Sequence, residues 1–393
     1  MTDQKTERVA IYDTTLREGD QAPGVSLDLQ QKVALAHQLA RLGVDAIEAG
    51  FPMTSPGEME SVRAVARALT GDDPPAVAAI ARPSHVEITR AHEAVKDATR
   101  PRINIFIGAS PQLQQIWRTS PHEALTHARE AVEHARTLLD DVQFSLVDVG
   151  RADLDYLREF ADTVAAAGAT TIALADNAGR ALPHEMSRMT SALSEQFAAR
   201  PDLTIATHCH NDLGLAVANT LSACRAGARQ AEGTINGIGV RAGVAALEEF
   251  VAILDTRRTD LGLHTRIAAT ELFATSGMVS KMTGYQVGPT KPIVGANAFV
   301  YESGTHQEAM QRDPEAYQTL AAESVGQITD IRRLGKHSGV AGLRDTLTAA
   351  GYQVTPRLLR AAFYRLKELG DTGPGLVDVH DLVRDCQDEP VEA

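Results

Sequence analysis

Two histidines spaced two residues apart, His208 and His210 in "THCHND", and the dipeptide Arg17-Glu18 in "DTTLREGDQAPGV" are the residues of this chain best suited to chemistry. Along an extended strand, residues i and i+2 project to one face, so both imidazoles can point at the same spot. Two imidazoles and a carboxylate make a three-donor set for a divalent cation, with positions left for substrate and water. The plainer reading has one histidine packed and the other exposed. Arg17 and Glu18 stand between Asp13 and Asp20, which suits either a solvated turn held by an Arg17–Asp ion pair or the wall of a binding site. Cys209, between the histidines, points the opposite way and reads as packing.

Something must bring residue 18 to residue 208. Short β-branched runs at 8–13, 44–50, 76–81, 102–108, 141–149, 171–176, 203–210 and 230–237 alternate with Ala-rich helical patterns. Strand–helix alternation implies parallel pairing. Eight units over about 250 residues have the size of an α/β (β/α)8 TIM barrel; a doubly wound sheet is the other arrangement of such units. In a barrel, function sits at the C-terminal strand ends. Asp13, Glu48, Asp148, Asp176, Asn177, His208, His210, Glu232 and Asn236 all fall there. After about 258 the alternation stops, and a mostly helical C-terminal extension follows. The expected division is a catalytic barrel over 1–258, a linker subdomain over 259–320 and a small helical subdomain over 321–393, with a frayed end at "DEPVEA".

The 393 residues carry a formal net charge of −13, which argues against nucleic acid or an anionic membrane as partner. No apolar run approaches the roughly 20 residues of a membrane span, and the polar start "MTDQKTER" is no secretory signal. Three cysteines without CxxC spacing fit a reducing compartment, so a cytoplasmic protein is expected.

The motifs "DTTLREGDQAPGV", "IEAGFP", "HCHNDLGLAVANTLSACRAGA", "EGTINGIG-RAG", "IVGANAF-ESG-HQ" and "LGKHSG" closely resemble the 2-isopropylmalate and homocitrate synthases over residues 8 to about 385. These are metal-dependent, acyl-CoA Claisen-condensing barrels with an Asp-Arg-Glu signature. The resemblance implies transfer of the acetyl group of acetyl-CoA to a 2-oxo acid, giving a 2-substituted malate and CoA. It implies metal ligation by Glu18, His208 and His210, with Zn, Mn, Mg or Co all compatible with that donor set. It makes Arg17 the group that stabilises developing negative charge, with Gln21, Asn177 and Arg180 beside it as substrate-binding candidates. It also implies a homodimer with shared sites, in which His306, with Tyr317 as a candidate partner, does acid–base work in a neighbour's barrel. His337 reads as structural. The long leucine-regulatory domain of some relatives is not expected. Retro-Claisen acyl-CoA lyases share the barrel and are the alternative activity, although the "ESGTHQ" and "GKHSG" regions match the synthases.

The departures from the family pattern collect on the expected pocket. Leu113 stands for a usual His, Val147 and Val240 for Glu, Asn177 for Thr and Val244 for an Asn that assists the metal. Two lost acids and the additional Arg180 would shift the local field positive. The expectation drawn from this is a doubly anionic acceptor, a dicarboxylate or a phosphono-substituted pyruvate, as in a phosphonomethylmalate-type synthase of a specialised pathway; an ordinary 2-isopropylmalate or homocitrate synthase with an atypical pocket is the alternative.

Overall fold

The computed structural model describes residues 6–328, 333–373 and 376–388. The end of the expected frayed tail, from 389 on, lies outside them. Eight parallel strands close into a barrel: β1 (Ala10–Asp13), β2 (Ala46–Gly50), β3 (Ala76–Ala81), β4 (Pro101–Gly108), β5 (Val142–Val147), β6 (Thr171–Asp176), β7 (Thr204–Cys209) and β8 (Gln230–Gly233), with β8 returning to pair with β1. The (β/α)8 barrel expected from the alternation is therefore the fold. Between and after the strands run α1 (Leu29–Leu42), α2 (Pro56–Ala68), α3 (His85–Val95), α4 (Pro121–Arg136), α5 (Leu154–Ala167), α6 (Pro183–Gln196), α7 (Ala216–Arg225) and α8 (Leu247–Thr256).

Local chemistry sets these boundaries. Asp28 and Gln31 form a capping box at the start of α1, and Ser120 and Glu123 form one at α4, satisfying amides the helices leave open. Gly43 ends α1 with φ 92°, a left-handed conformation open to glycine without a Cβ clash.

Register decides which side chains share a level inside the barrel. Tyr12 pairs with Glu232, Glu232 with His208, His208 with Ala175, Ala175 with Val147 and Val147 with Gly108. One row around the wall thus runs from a charged side, β8 and β7, to an apolar side, β6 to β4.

The first compact unit continues past the expected boundary at 258, to Val287. Two features hold the extra segment on the barrel. Residues Leu263–His264 form a two-residue parallel pair with Glu7–Arg8. Helix α9 (Leu272–Thr283) meets α1 where Gln38 Nε2 donates to Thr275 Oγ1 at 2.9 Å. The second unit begins at Gly288. It contains α10 (Gly304–Arg312), α11 (Val340–Ala349), α12 (Pro356–Thr372) and α13 (Val379–Asp388). Its core gathers Leu343, Leu347, Ala362, Leu366, Leu382 and Val383.

Candidate active site

At the C-terminal strand ends a cavity of about 490 Å³ opens, walled by residues from every side of the barrel. Its charged half starts from Arg17. The chain leaves β1 through a turn in which Asp13 accepts from the Thr15 amide and hydroxyl, so Asp13 shapes the loop. Arg17 itself is held by Glu48 of β2, whose Oε2 accepts from Arg17 Nε at 2.6 Å, and by an ion pair with Glu18. Asp20 pairs with the buried Lys32 of α1 at 3.0 Å, leaving Arg17 to the two glutamates.

Glu48 is buried and takes four hydrogen bonds: from Tyr12 at 2.9 Å, Thr14 at 2.7 Å, Asn104 at 2.8 Å and Arg17. Although burial opposes its charge, Arg17 and these donors hold its carboxyl below the ordinary glutamate range. Burial likewise disfavours charge on Arg17, but Glu48 and Glu18 keep it cationic.

Glu18, His208 and His210 are brought together, each buried, with donor atoms within 4.8 Å of one another. The Nε2 atoms of the two imidazoles face each other at 3.3 Å. Glu232 Oε2 lies 3.3 Å from His208 Nδ1, placed to accept from an Nδ1–H and leave the Nε2 lone pair for a cation. Glu18 Oε1 accepts from the Val240 amide at 3.3 Å. Against its burial, Arg17, His208 and His210 hold the Glu18 carboxyl at about 2, keeping it anionic. Burial, then the neighbouring His208, pushes His210 down to about 3, so its imidazole is neutral, and its buried Nδ1 has no hydrogen-bond partner. An anionic carboxylate and two facing imidazole nitrogens, one ring neutral and the other braced by a carboxylate, fit a divalent cation. Cys209 is buried away from this cluster, with burial pushing its thiol up to about 12.

Of the other sequence candidates, Gln21 and Asn177 line the cavity, whereas Arg180 is exposed and is not among its lining residues. The guanidinia that do line it, beside Arg17, are Arg151 and Arg241. Arg151 pairs with Asp148 at 2.6 Å, and Arg241 with Asp212 at 2.7 Å while also donating to the Asn177 carbonyl at 2.6 Å. Leu113, Val147 and Val240 line the cavity, but Val244 is buried and forms a backbone bridge with His210. In the second unit, the His306 ring sits edge-on to Tyr317 at 4.6 Å and 6.2 Å from Tyr301. The His337 amide donates to Glu302 at 3.0 Å.

Three contributors were not among the candidates expected from the sequence. Asn104 donates to Glu48 and accepts from the Ser145 hydroxyl at 2.8 Å; a lone Asn in the apolar run "RINIFIG" was the available hint. Arg151, three residues after Asp148, was legible as an i,i+3 pair. Arg241 meets its partner only in the fold.

A family profile described as HMGL-like matches residues 8–279, and one described as homocitrate synthase post-HMGL domain-like matches 293–374. The chain is 44% identical over 385 residues to a 2-isopropylmalate synthase of Heliobacterium modesticaldum, covering 98% of this chain and 74% of that protein. It is 44% identical to one of Pyrococcus furiosus, covering 95% and 74%. Among solved structures, the hydroxymethylglutaryl-CoA lyase of Pseudomonas aeruginosa superposes with a TM-score of 0.61 at 20% identity, covering 72% of this chain and 95% of that one, which speaks for the fold alone. With barrel, motifs and near full-length identity in agreement, the chain belongs to the HMGL-like family, among its acetyl-CoA-dependent 2-oxo acid acyltransferases.

Proposed function

We propose that the barrel cavity condenses acetyl-CoA with a 2-oxo acid, giving a 2-substituted malate and free CoA. The observation that carries this reading is the cluster of Glu18, His208 and His210 beside a buried Arg17 at the strand ends. A divalent cation held by those three residues would supply Lewis-acid polarisation of the acceptor's ketone. Arg17, kept cationic by Glu48 and Glu18, faces the negative charge that develops on oxygen as the new bond forms. Its preorganisation matters because a guanidinium fixed in advance needs no reorganisation during the step. Glu232 holds the His208 ring, and the Val240 amide holds Glu18.

The reaction balances as follows. The methyl of acetyl-CoA loses a proton to a base, its carbon bonds to the keto carbon, and the keto oxygen ends protonated as a hydroxyl. Water then cleaves the thioester, releasing CoA thiol and a carboxylate. His306, packed on Tyr317, is the acid–base group of this reading, and the active species is a homodimer in which His306 serves the partner's cavity.

The test is thiol release from acetyl-CoA across a panel of 2-oxo acids, with and without chelator. Thiol release that depends on a 2-oxo acid and disappears with chelator supports the reading. Cleavage of 3-hydroxyacyl-CoA esters without any condensation would instead make the protein a lyase.

A further inference from the structure

Among polar neighbours that include Asn104, Ser145 and the Asp148–Arg151 pair, the cavity wall from β4 to β6 carries a cluster of aromatic and aliphatic side chains with no part in the condensation. We propose that it selects a 2-oxo acid with one carboxylate and a large apolar side chain, bigger than a three-carbon branch, seated against Phe106, Leu113, Trp117 and Val147. This inference rests on the acyltransferase reading of the same site.

The wall is built from the backbone outward. On β4, Phe106 and Gly108 alternate on one face, and Val147 of β5 pairs in register with Gly108. After β4 a short helix, Pro111–Ile116, folds Leu113 and Trp117 back onto Gly108. A Cβ at position 108 would lie 2.5 Å from Leu113 Cβ and 3.1 Å from Trp117 Cζ3, so glycine is what lets this helix approach. The rings interlock edge to face: Phe106–Trp117 centroids are 6.4 Å apart at 68°, and Phe51–Phe106 are 6.4 Å apart at 80°. Val147 and Ala175, next along the row, present no side-chain polar atom to the cavity. The result is an aromatic and aliphatic shelf opposite the charged cluster, of the composition that favours apolar side chains.

Charge separates this occupant from a doubly anionic one. Each guanidinium lining the cavity is already matched: Arg17 by Glu18 and Glu48, Arg151 by Asp148, Arg241 by Asp212. A second anionic group would have to share a guanidinium whose charge a protein carboxylate already offsets. An apolar side chain makes no such demand and buries the shelf from water.

Two readouts test it. The first is kcat/KM by thiol release for pyruvate, 2-oxoisovalerate, 4-methyl-2-oxopentanoate, phenylpyruvate, oxaloacetate and 2-oxoglutarate. Expected is a preference of about tenfold or more for phenylpyruvate or 4-methyl-2-oxopentanoate over each of the other four. Pyruvate, 2-oxoisovalerate or a dicarboxylate as the best acceptor overturns the inference. The second readout is independent of turnover, because Trp117 is the chain's single tryptophan. Its fluorescence should change saturably with 4-methyl-2-oxopentanoate and not with oxaloacetate; the reverse also overturns the inference. Saturable binding of the apolar acid without thiol release would sink the acyltransferase reading while leaving the selectivity of the cavity standing. In Trp117→Ala and Val147→Glu, the phenylpyruvate-to-pyruvate ratio should fall about tenfold or more. A parallel fall with all acceptors would mean that these residues only support the fold.

Discussion

Glu48 Oε2 accepts from Arg17 Nε at 2.6 Å, so a carboxylate from the second strand grips the guanidinium that the first strand delivers. The remaining Glu48 partners, Tyr12, Thr14 and Asn104, fix the carboxylate in turn, and the Thr14 carbonyl also accepts from the Arg17 amide at 3.1 Å. Glu48→Gln preserves the shape and removes the charge. We expect kcat to fall about a hundredfold, the scale of losing one preorganised electrostatic contact, with a smaller change in the KM for acetyl-CoA. Steady-state kinetics decides it: an unchanged kcat would mean that Arg17 is placed without help from Glu48.

Glu232 braces His208 from behind at 3.3 Å. Carboxylates in this position orient metal-bound histidines, and removing one typically weakens metal affinity by about 10- to 100-fold. Glu232→Gln should therefore raise the dissociation constant of the activating metal by that factor in a calorimetric titration. Wild-type affinity would show that His208 is oriented by other contacts.

Asp13 gives a pH signature. Burial, only partly offset by the Thr15 hydrogen bonds, raises its carboxyl from 3.8 to about 7. The folded state therefore binds this proton more tightly than the unfolded chain. The stabilising contribution is complete below about pH 4 and is lost as pH rises through 7. A shift of that size corresponds to up to about 4 kcal/mol. Asp13→Asn keeps an acceptor for Thr15 and does not titrate. Measured by urea unfolding, its stability relative to wild type should rise from pH 5 to 8; a flat difference would place the charge elsewhere.

Lys32 is fully buried and pairs with Glu58 at 2.8 Å and Asp20 at 3.0 Å, tying α1 to the loop that follows Glu18. Removing one partner of a buried ionic group costs about 3–5 kcal/mol. Lys32→Met should lower unfolding stability by that amount, and a loss below about 1 kcal/mol would show the site to be well hydrated.

A dimer with shared sites has a stoichiometric test. Glu18→Ala and His306→Ala should each be nearly inactive alone. Refolded together in equal amounts, they should recover about a quarter of wild-type activity, since half the dimers are mixed and each carries one intact site. No recovery would confine each site to a single chain.

How far the sequence went differs between the parts of this molecule. The barrel was legible because most strands are apolar runs followed by a helical period, and both patterns are local; β8, Gln-Ala-Glu-Gly, is the exception. His208 and His210 were legible because two residues of one strand share a face whatever surrounds them. The pairing of Arg17 with Glu48 was not, because Glu48 arrives from another strand and no local pattern couples positions 17 and 48. Arg180 was expected beside the substrate from its place after β6, yet it is exposed, and Arg241 supplies the guanidinium at the lip. The continuation of the first compact unit to Val287 has no local pattern either. The pairing of Glu7–Arg8 with Leu263–His264 is two residues long and leaves no periodic trace.

The seam where β8 meets β1, with Ile11 beside Ala231, has a consequence for synthesis. The contact joins opposite ends of the first unit, so the barrel has a high contact order and its closure is slow by nature. During translation β1 emerges first and must wait, with one edge unpaired, until some 220 further residues have left the ribosome. Glu18 lies just beyond one lip of the seam, and His208 comes from the strand next to the other. The reactive cluster is therefore assembled only when the ring closes, and a nascent chain stalled before β7 carries Glu18 but neither histidine.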